Sequence, residues 1–100
     1  MAKVENIINH RGNRAVNQFA ITTDKGVYFQ SYESVVAFWD NENRMLYVTP
    51  LWDCSNTTRK HFYIFLNDYT TFPPYWNRNI VLEMIKLGTI TVVKDGELNF

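Results

Sequence analysis

One thiol stands in this chain, with a carboxylate beside it and a histidine further on: Asp53, Cys54 and His61. A cysteine just ahead of a helix has its thiolate favoured by the helix dipole, the first requirement for nucleophilic chemistry. Cys54 and His61 are seven residues apart, about two helical turns, so direct contact is not expected. His10, the second histidine, falls in a turn. The bland reading, a semi-buried structural thiol, is preferred, and no catalytic residue is assigned.

A metal centre needs several Cys, His or carboxylate donors converging. One Cys and two His spread along the sequence do not suggest such a set, so no metal and no other cofactor is expected. Asp24, Asp40, Glu42, Asp53, Asp68 and Asp95 mostly mark turns rather than a paired acid and base, and no glycine-rich phosphate loop is present. The expectation is a protein that is not an enzyme.

Binding chemistry is better represented. Arg59, Lys60 and His61 cluster beside Trp52 and Tyr63, with Arg78 adding charge. Cations among exposed rings can hold single-stranded nucleic acid by stacking, and the competing reading is a solvated helix face whose rings belong to the core. A second candidate surface is the Tyr69–Trp76 segment, through Tyr69, Phe72 and Tyr75, which can equally fold over the edge of the core. The candidate binding residues are therefore Trp52, Arg59, Lys60, Tyr63, Tyr69, Phe72, Tyr75 and Arg78.

Composition weighs between these readings. One hundred residues make one domain, and 46% hydrophobic with 20% charged residues argues against disorder. Aromatics at 16% exceed what a small core usually hides, so some rings should lie at the surface, where they favour interfaces. Ten Lys and Arg balance ten Asp and Glu. The basic excess of a typical nucleic-acid binder is missing, and zero net charge favours self-association. A single cysteine suits a reducing cytoplasm. The N-terminal residues lack a long apolar region, so no signal peptide is expected, and no apolar run nears the ~20 residues that span a bilayer.

The elements that must position these residues are an antiparallel meander of four to five strands, two helices and a closing C-terminal strand, an α+β fold. Lys3 to Ile8 reads as a first strand, with His10 to Arg14 as a turn. In Ala15 to Thr23, Phe19, Ile21 and Thr23 share one face and Gln18, Ala20 and Thr22 the other. Asp24-Lys25-Gly26 reads as a hairpin, Gly26 being available for positive φ. Val27 to Tyr32, Val35 to Trp39 and Arg44 to Thr49 follow as strands, with short connections that require antiparallel pairing. Ser55 predicts a helix N-cap, accepting from the N–H of Thr57 or Thr58, for a helix over 56–66 ended by Asn67-Asp68. After Pro73-Pro74, a second helix is predicted from Tyr75 or Asn77 to Leu87, with Trp76, Ile80, Met84 and Leu87 as its apolar stripe, Val81 and Ile85 widening it, and Gly88 as its stop. Thr89 to Lys94 reads as the closing strand, with a short pairing over Glu97 to Phe100 after it.

Two clusters carry a resemblance. Asn17-Gln18-Phe19 leads to Tyr28-Phe29-Gln30-Ser31-Tyr32 and Ser34-Val35-Val36-Ala37-Phe38. Then come Trp52-Asp53, Ser55, Thr57-Thr58 and Lys60-His61, closing with Phe65-Leu66. This pattern resembles a family of small proteins of unknown function carried by phages, plasmids and other mobile elements of Gram-positive bacteria. Cys54 stands where an aromatic is expected, and Pro73-Pro74 looks like an insertion. The resemblance implies a compact α+β domain of mobile-element origin and transfers no catalytic residue.

The expected function is that of a non-enzymatic accessory protein that binds a host or phage protein in the host cytoplasm, an inhibitor of host defence such as an anti-CRISPR being its sharpest version. The alternative is single-stranded nucleic-acid binding. Two helices cover only one sheet face, so Tyr28, Tyr32, Val36 and Phe38 are expected on the other, where a homodimer partner or the target would bury them.

Overall fold

The computed structural model describes residues 2–72 and 75–98. Five strands run first: β1 (Lys3–Ile8), β2 (Arg14–Thr22), β3 (Gly26–Ser31), β4 (Ser34–Asp40) and β5 (Met45–Val48). A 3₁₀ turn (Pro50–Asp53) leads into α1 (Asn56–Tyr69), then α2 (Arg78–Lys86) and β6 (Ile90–Val92). The six strands form one sheet in the order β1-β2-β3-β4-β5-β6. Neighbours from β1 to β5 pair antiparallel, as their short connections dictate. β6 pairs parallel to β5, because the two helices form the long crossover that parallel pairing needs. This is the α+β meander with a closing strand.

Both helices pack on one face of the sheet. Phe29 on β3 meets Phe65 and Phe62 of α1 at ring distances of 5.5 and 6.2 Å. Trp39, Leu46, Val48 and Ile90 join that core, with Val81 from α2 and Trp52 from the 3₁₀ turn. The other face carries one cross-strand row read off the register: Val4, Ile21, Tyr28, Phe38, Tyr47 and Thr91. Tyr28 and Phe38 are 4.4 Å apart along it, and Phe38 and Tyr47 6.4 Å.

Val36 does not share that row. Phe29 faces Ala37 while Gln30 faces Val35, so Val36 is the extra residue of a bulge. The bulge turns it into the core, where it is 1% exposed. Tyr32 also leaves the strand: it sits in the β3–β4 turn at φ 57°, its N–H donating to the Asn17 carbonyl over 2.7 Å.

Gly26 is small for a reason other than φ. It is absent from the positive-φ positions and lies opposite Asp40 in the ladder. A Cβ there would stand 1.9 Å from the Trp39 carbonyl oxygen.

α1 runs three residues beyond the predicted stop at Leu66. Asn67 and Asp68 are exposed and fit its solvent side, while Tyr69 closes the apolar side by stacking on Phe65 at 5.6 Å. α2 starts after Asn77, whose Oδ1 accepts from the Ile80 N–H at 2.9 Å. Trp76 is outside the helix, so the stripe is not the one drawn from it. The buried side is centred on Val81 with Met84 and Ile85 packed beside it, leaving Ile80 and Leu87 exposed. Gly88 ends the helix as predicted, at φ 82°. Thr89 N–H donates to the Met84 carbonyl and Gly88 N–H to that of Ile85, a Schellman motif. β6 is shorter than predicted, at Ile90–Val92. In the predicted last pairing, Glu97 and Leu98 take no strand, and Asn99 and Phe100 lie outside the described residues, as do Pro73 and Pro74.

Candidate binding surfaces

The 3₁₀ turn sets the first cluster. Thr49 is buried and caps it, its Oγ1 accepting from the Leu51 N–H at 3.3 Å. The turn delivers Asp53 to a point where both helices begin. Arg59 on the first turn of α1 donates from Nη1 to Asp53 Oδ1 at 2.7 Å and to the Asp53 carbonyl at 3.3 Å. Its Nη2 donates to Asn56 Oδ1. Arg78, the first residue of α2, donates from Nε to Asp53 Oδ2 at 2.9 Å and to Oδ1 at 3.1 Å. Burial by itself would raise the Asp53 pKa. Hydrogen bonds and charge from Arg59 and Arg78 outweigh it and hold the carboxyl below the usual range. Tyr63 borders this cluster, and its phenol is pushed up chiefly by burial.

Asp53, weighed in the sequence only beside the thiol and as a turn residue, is not among the candidate binding residues, although Arg59, Arg78 and Tyr63 are. The structure gathers these three around it. The same geometry engages both guanidinium groups with Asp53 rather than presenting them as free cations, Arg59 half-buried and Arg78 at the surface. Lys60 is exposed beside them.

The aromatic candidates divide by burial. Trp52 is 4% exposed and packs against Phe62 at 5.8 Å, so it offers no surface. Tyr69 stacks on Phe65, and Phe72 sits edge-on to Trp39 at 5.2 Å and to Trp76 at 5.7 Å. Those rings close the end of the core. Tyr75 alone of the group is open, at 83%.

The thiol and the imidazole point to separate partners. Cys54 Sγ donates to Thr58 Oγ1 at 3.6 Å. His61 Nδ1 donates to the Thr57 carbonyl at 2.7 Å. Thr58 also accepts from Ser55 Oγ at 3.2 Å and meets Ser31 Oγ at 3.0 Å across the sheet–helix boundary. Among the described residues, no group of three or more His, Cys, Asp or Glu is arranged to hold a metal. No helix among them is long and apolar enough to cross a membrane.

Sequence reasoning also missed the exposed aliphatic side chains near the C-terminal crossover. On α2 and just beyond it, Ile80, Leu82 and Leu87 reach solvent, with Val92 on β6. Leu87 is 71% exposed. Assigning Ile80 and Leu87 to the buried stripe hid them, and the signal was the position of Trp76 directly before the Asn77 cap.

The chain belongs to a family of unknown function (DUF8033), which it matches over residues 2–76. No curated protein and no solved structure matches it. The matched stretch takes in β1 to β5, the 3₁₀ turn and α1, and it stops before α2 and β6.

Proposed function

We propose that this is a non-enzymatic accessory protein of a phage or mobile element, acting in the host cytoplasm by binding a host or viral protein. Inhibition of a host defence system, as an anti-CRISPR does, is the sharpest form of that role. The mobile-element part rests on the sequence pattern between Asn17 and Leu66. The observation that carries the binding part is the apolar surface of the C-terminal crossover. Tyr75, Ile80 and Leu87 are all exposed there. Ile80 and Leu87 are seven residues apart and share one side of α2. Exposed aliphatic and aromatic groups of this kind suit the desolvated centre of a protein interface.

Nucleic-acid binding is less well served. Stacking on single strands needs rings and cations on one surface. Here Arg59 and Arg78 are tied to Asp53 on the helix side, while the ring row Tyr28, Phe38 and Tyr47 lies on the opposite face of the sheet.

The test is capture of partners from host lysate with wild type and with Ile80→Glu/Leu87→Glu. Both positions are solvent-exposed, so the variant should fold. The expected result is a specific protein retained at high salt by wild type and lost by the variant. Capture that both proteins make equally rejects this surface. A low-salt mobility shift with single-stranded DNA or RNA, abolished by salt, rejects the protein-partner reading in favour of nucleic acid.

A further inference from the structure

β1 is one edge of the sheet: β2 covers one of its sides, and no strand among the described residues pairs with the other. An open edge presents free N–H and C=O groups that template another strand. Val4 on this strand is 61% exposed and Ile8 is also open.

We propose that β1 pairs antiparallel with β1 of a second copy about a twofold axis through Val4, joining the two sheets edge to edge. The sequence of the edge selects this register. In a twofold antiparallel pair, residues equally far before and after the axis face one another. With the axis at Val4, Lys3 faces the partner's Glu5, and Glu5 faces the partner's Lys3. Opposite charges directly across strands stabilise a ladder, and like charges destabilise it. An axis at Lys3 or at Glu5 stacks like charges on themselves. An axis at Asn6 sets Glu5 against Ile7 and runs into the β1–β2 bulge between Asn6 and Ile8. Lys3 and Glu5 already form an exposed ion pair within the chain at 3.7 Å. Such a pair is weak and readily exchanged for two across the interface.

A second observation supports the axis. Val4 ends the cross-strand row that continues through Ile21, Tyr28, Phe38 and Tyr47. A twofold axis at Val4 sets it against the partner's Val4, so the row passes unbroken from one copy to the other. The helices of both copies then lie on the same face. Zero net charge leaves no long-range repulsion against this approach. The dimer expected from the sequence thus forms at the sheet edge rather than on the helix-free face. It is independent of the partner surface on α2.

The experiment is light scattering over a dilution series with four proteins: wild type, Lys3→Glu, Glu5→Lys, and the double reversal. Both side chains are exposed, so all four should fold, which circular dichroism checks. Wild type is expected to dimerise, each single reversal to weaken the dimer about tenfold, and the double reversal to restore it. A wild type that is monomeric throughout overturns the proposal. So does a dimer that neither single reversal weakens, or a double reversal that fails to recover. Val4→Cys in a Cys54→Ser background gives an independent readout. It should oxidise to a covalent dimer, since facing strand positions come within disulfide reach, and failure to cross-link rejects the Val4 axis.

Discussion

The Arg78 guanidinium closes on the Asp53 carboxylate at 2.9 Å across twenty-five residues of sequence. With Arg59 on the other side of the same carboxylate at 2.7 Å, Asp53 fixes where both helices start relative to the end of the meander. Among the described residues, it is the one place where the 3₁₀ turn, α1 and α2 are joined by charge.

Asp53→Asn should therefore destabilise the fold at neutral pH by about 1 kcal/mol, a figure kept low because Arg78 is well exposed and screened by water. The Asp53 pKa is lowered in the folded state. Its stabilisation is complete above the unfolded carboxylate value of about 3.9 and is lost as pH falls from there through the lower folded value. Urea midpoints of wild type and variant should differ at neutral pH and converge in acid. A difference that persists at the lowest pH would mean that packing, not charge, is responsible.

Ser55→Ala tests the start of α1. Ser55 Oγ accepts from the Thr58 N–H at 3.1 Å, the cap expected from the sequence. Removing it should cost about 1 kcal/mol, measured by chemical denaturation. Ser55→Gly should cost less than the alanine change, because glycine at a cap leaves the N–H open to water.

What could be read from the sequence was local. Alternation in β2 placed Gln18 and Ala20 on one face and Phe19 and Ile21 on the other, and the ladder keeps that division. The Ser55 cap and the Gly88 stop depend on a few neighbouring residues and were legible for that reason. The bulge at Val36 arises from how β4 meets β3, and no pattern within β4 announces it. Asn17, Tyr32 and Arg44 take positive φ without being glycine, set by turns and pairing rather than by residue type. The Asp53–Arg78 contact needs the whole crossover to form before the two residues meet. Asn67 and Asp68 read as a helix end because polar residues also mark turns, yet a solvent-facing helix side uses the same residues.

Gln18 offers a test of buried polarity. It is 0% exposed, and neither the nitrogen nor the oxygen of its amide has a hydrogen-bond partner among the described residues. Its ladder neighbour Ser31 is engaged with Thr58 instead. An unsatisfied buried amide is destabilising, and replacing it with an apolar group of similar shape removes that cost. Gln18→Met should raise stability by about 1 kcal/mol, read as an upward shift in the denaturation midpoint. A downward shift would show that an internal water holds the amide, as buried waters commonly do.

The most severe single change should be Gly26→Ala. The backbone of Gly26 is packed so closely on β4 that a methyl group would meet the Trp39 carbonyl oxygen at 1.9 Å and the Phe38 ring at 2.9 Å. The ring can swing aside, but the carbonyl belongs to the central ladder and cannot. Val27 follows directly and faces Trp39 across that ladder, so any shift of the strand also disturbs the core. Overpacking of this kind costs on the order of 3 kcal/mol. Substitution at Gly96, whose added methyl would meet nothing within 4 Å among the described residues, separates steric clash from the general loss of a glycine. Thermal unfolding of the two alanine variants side by side should show a large fall for Gly26→Ala. The effect at Gly96 should be the smaller one, limited to the strain of its φ of 88°. Equal falls would show that the close approach to Trp39 is not what position 26 requires.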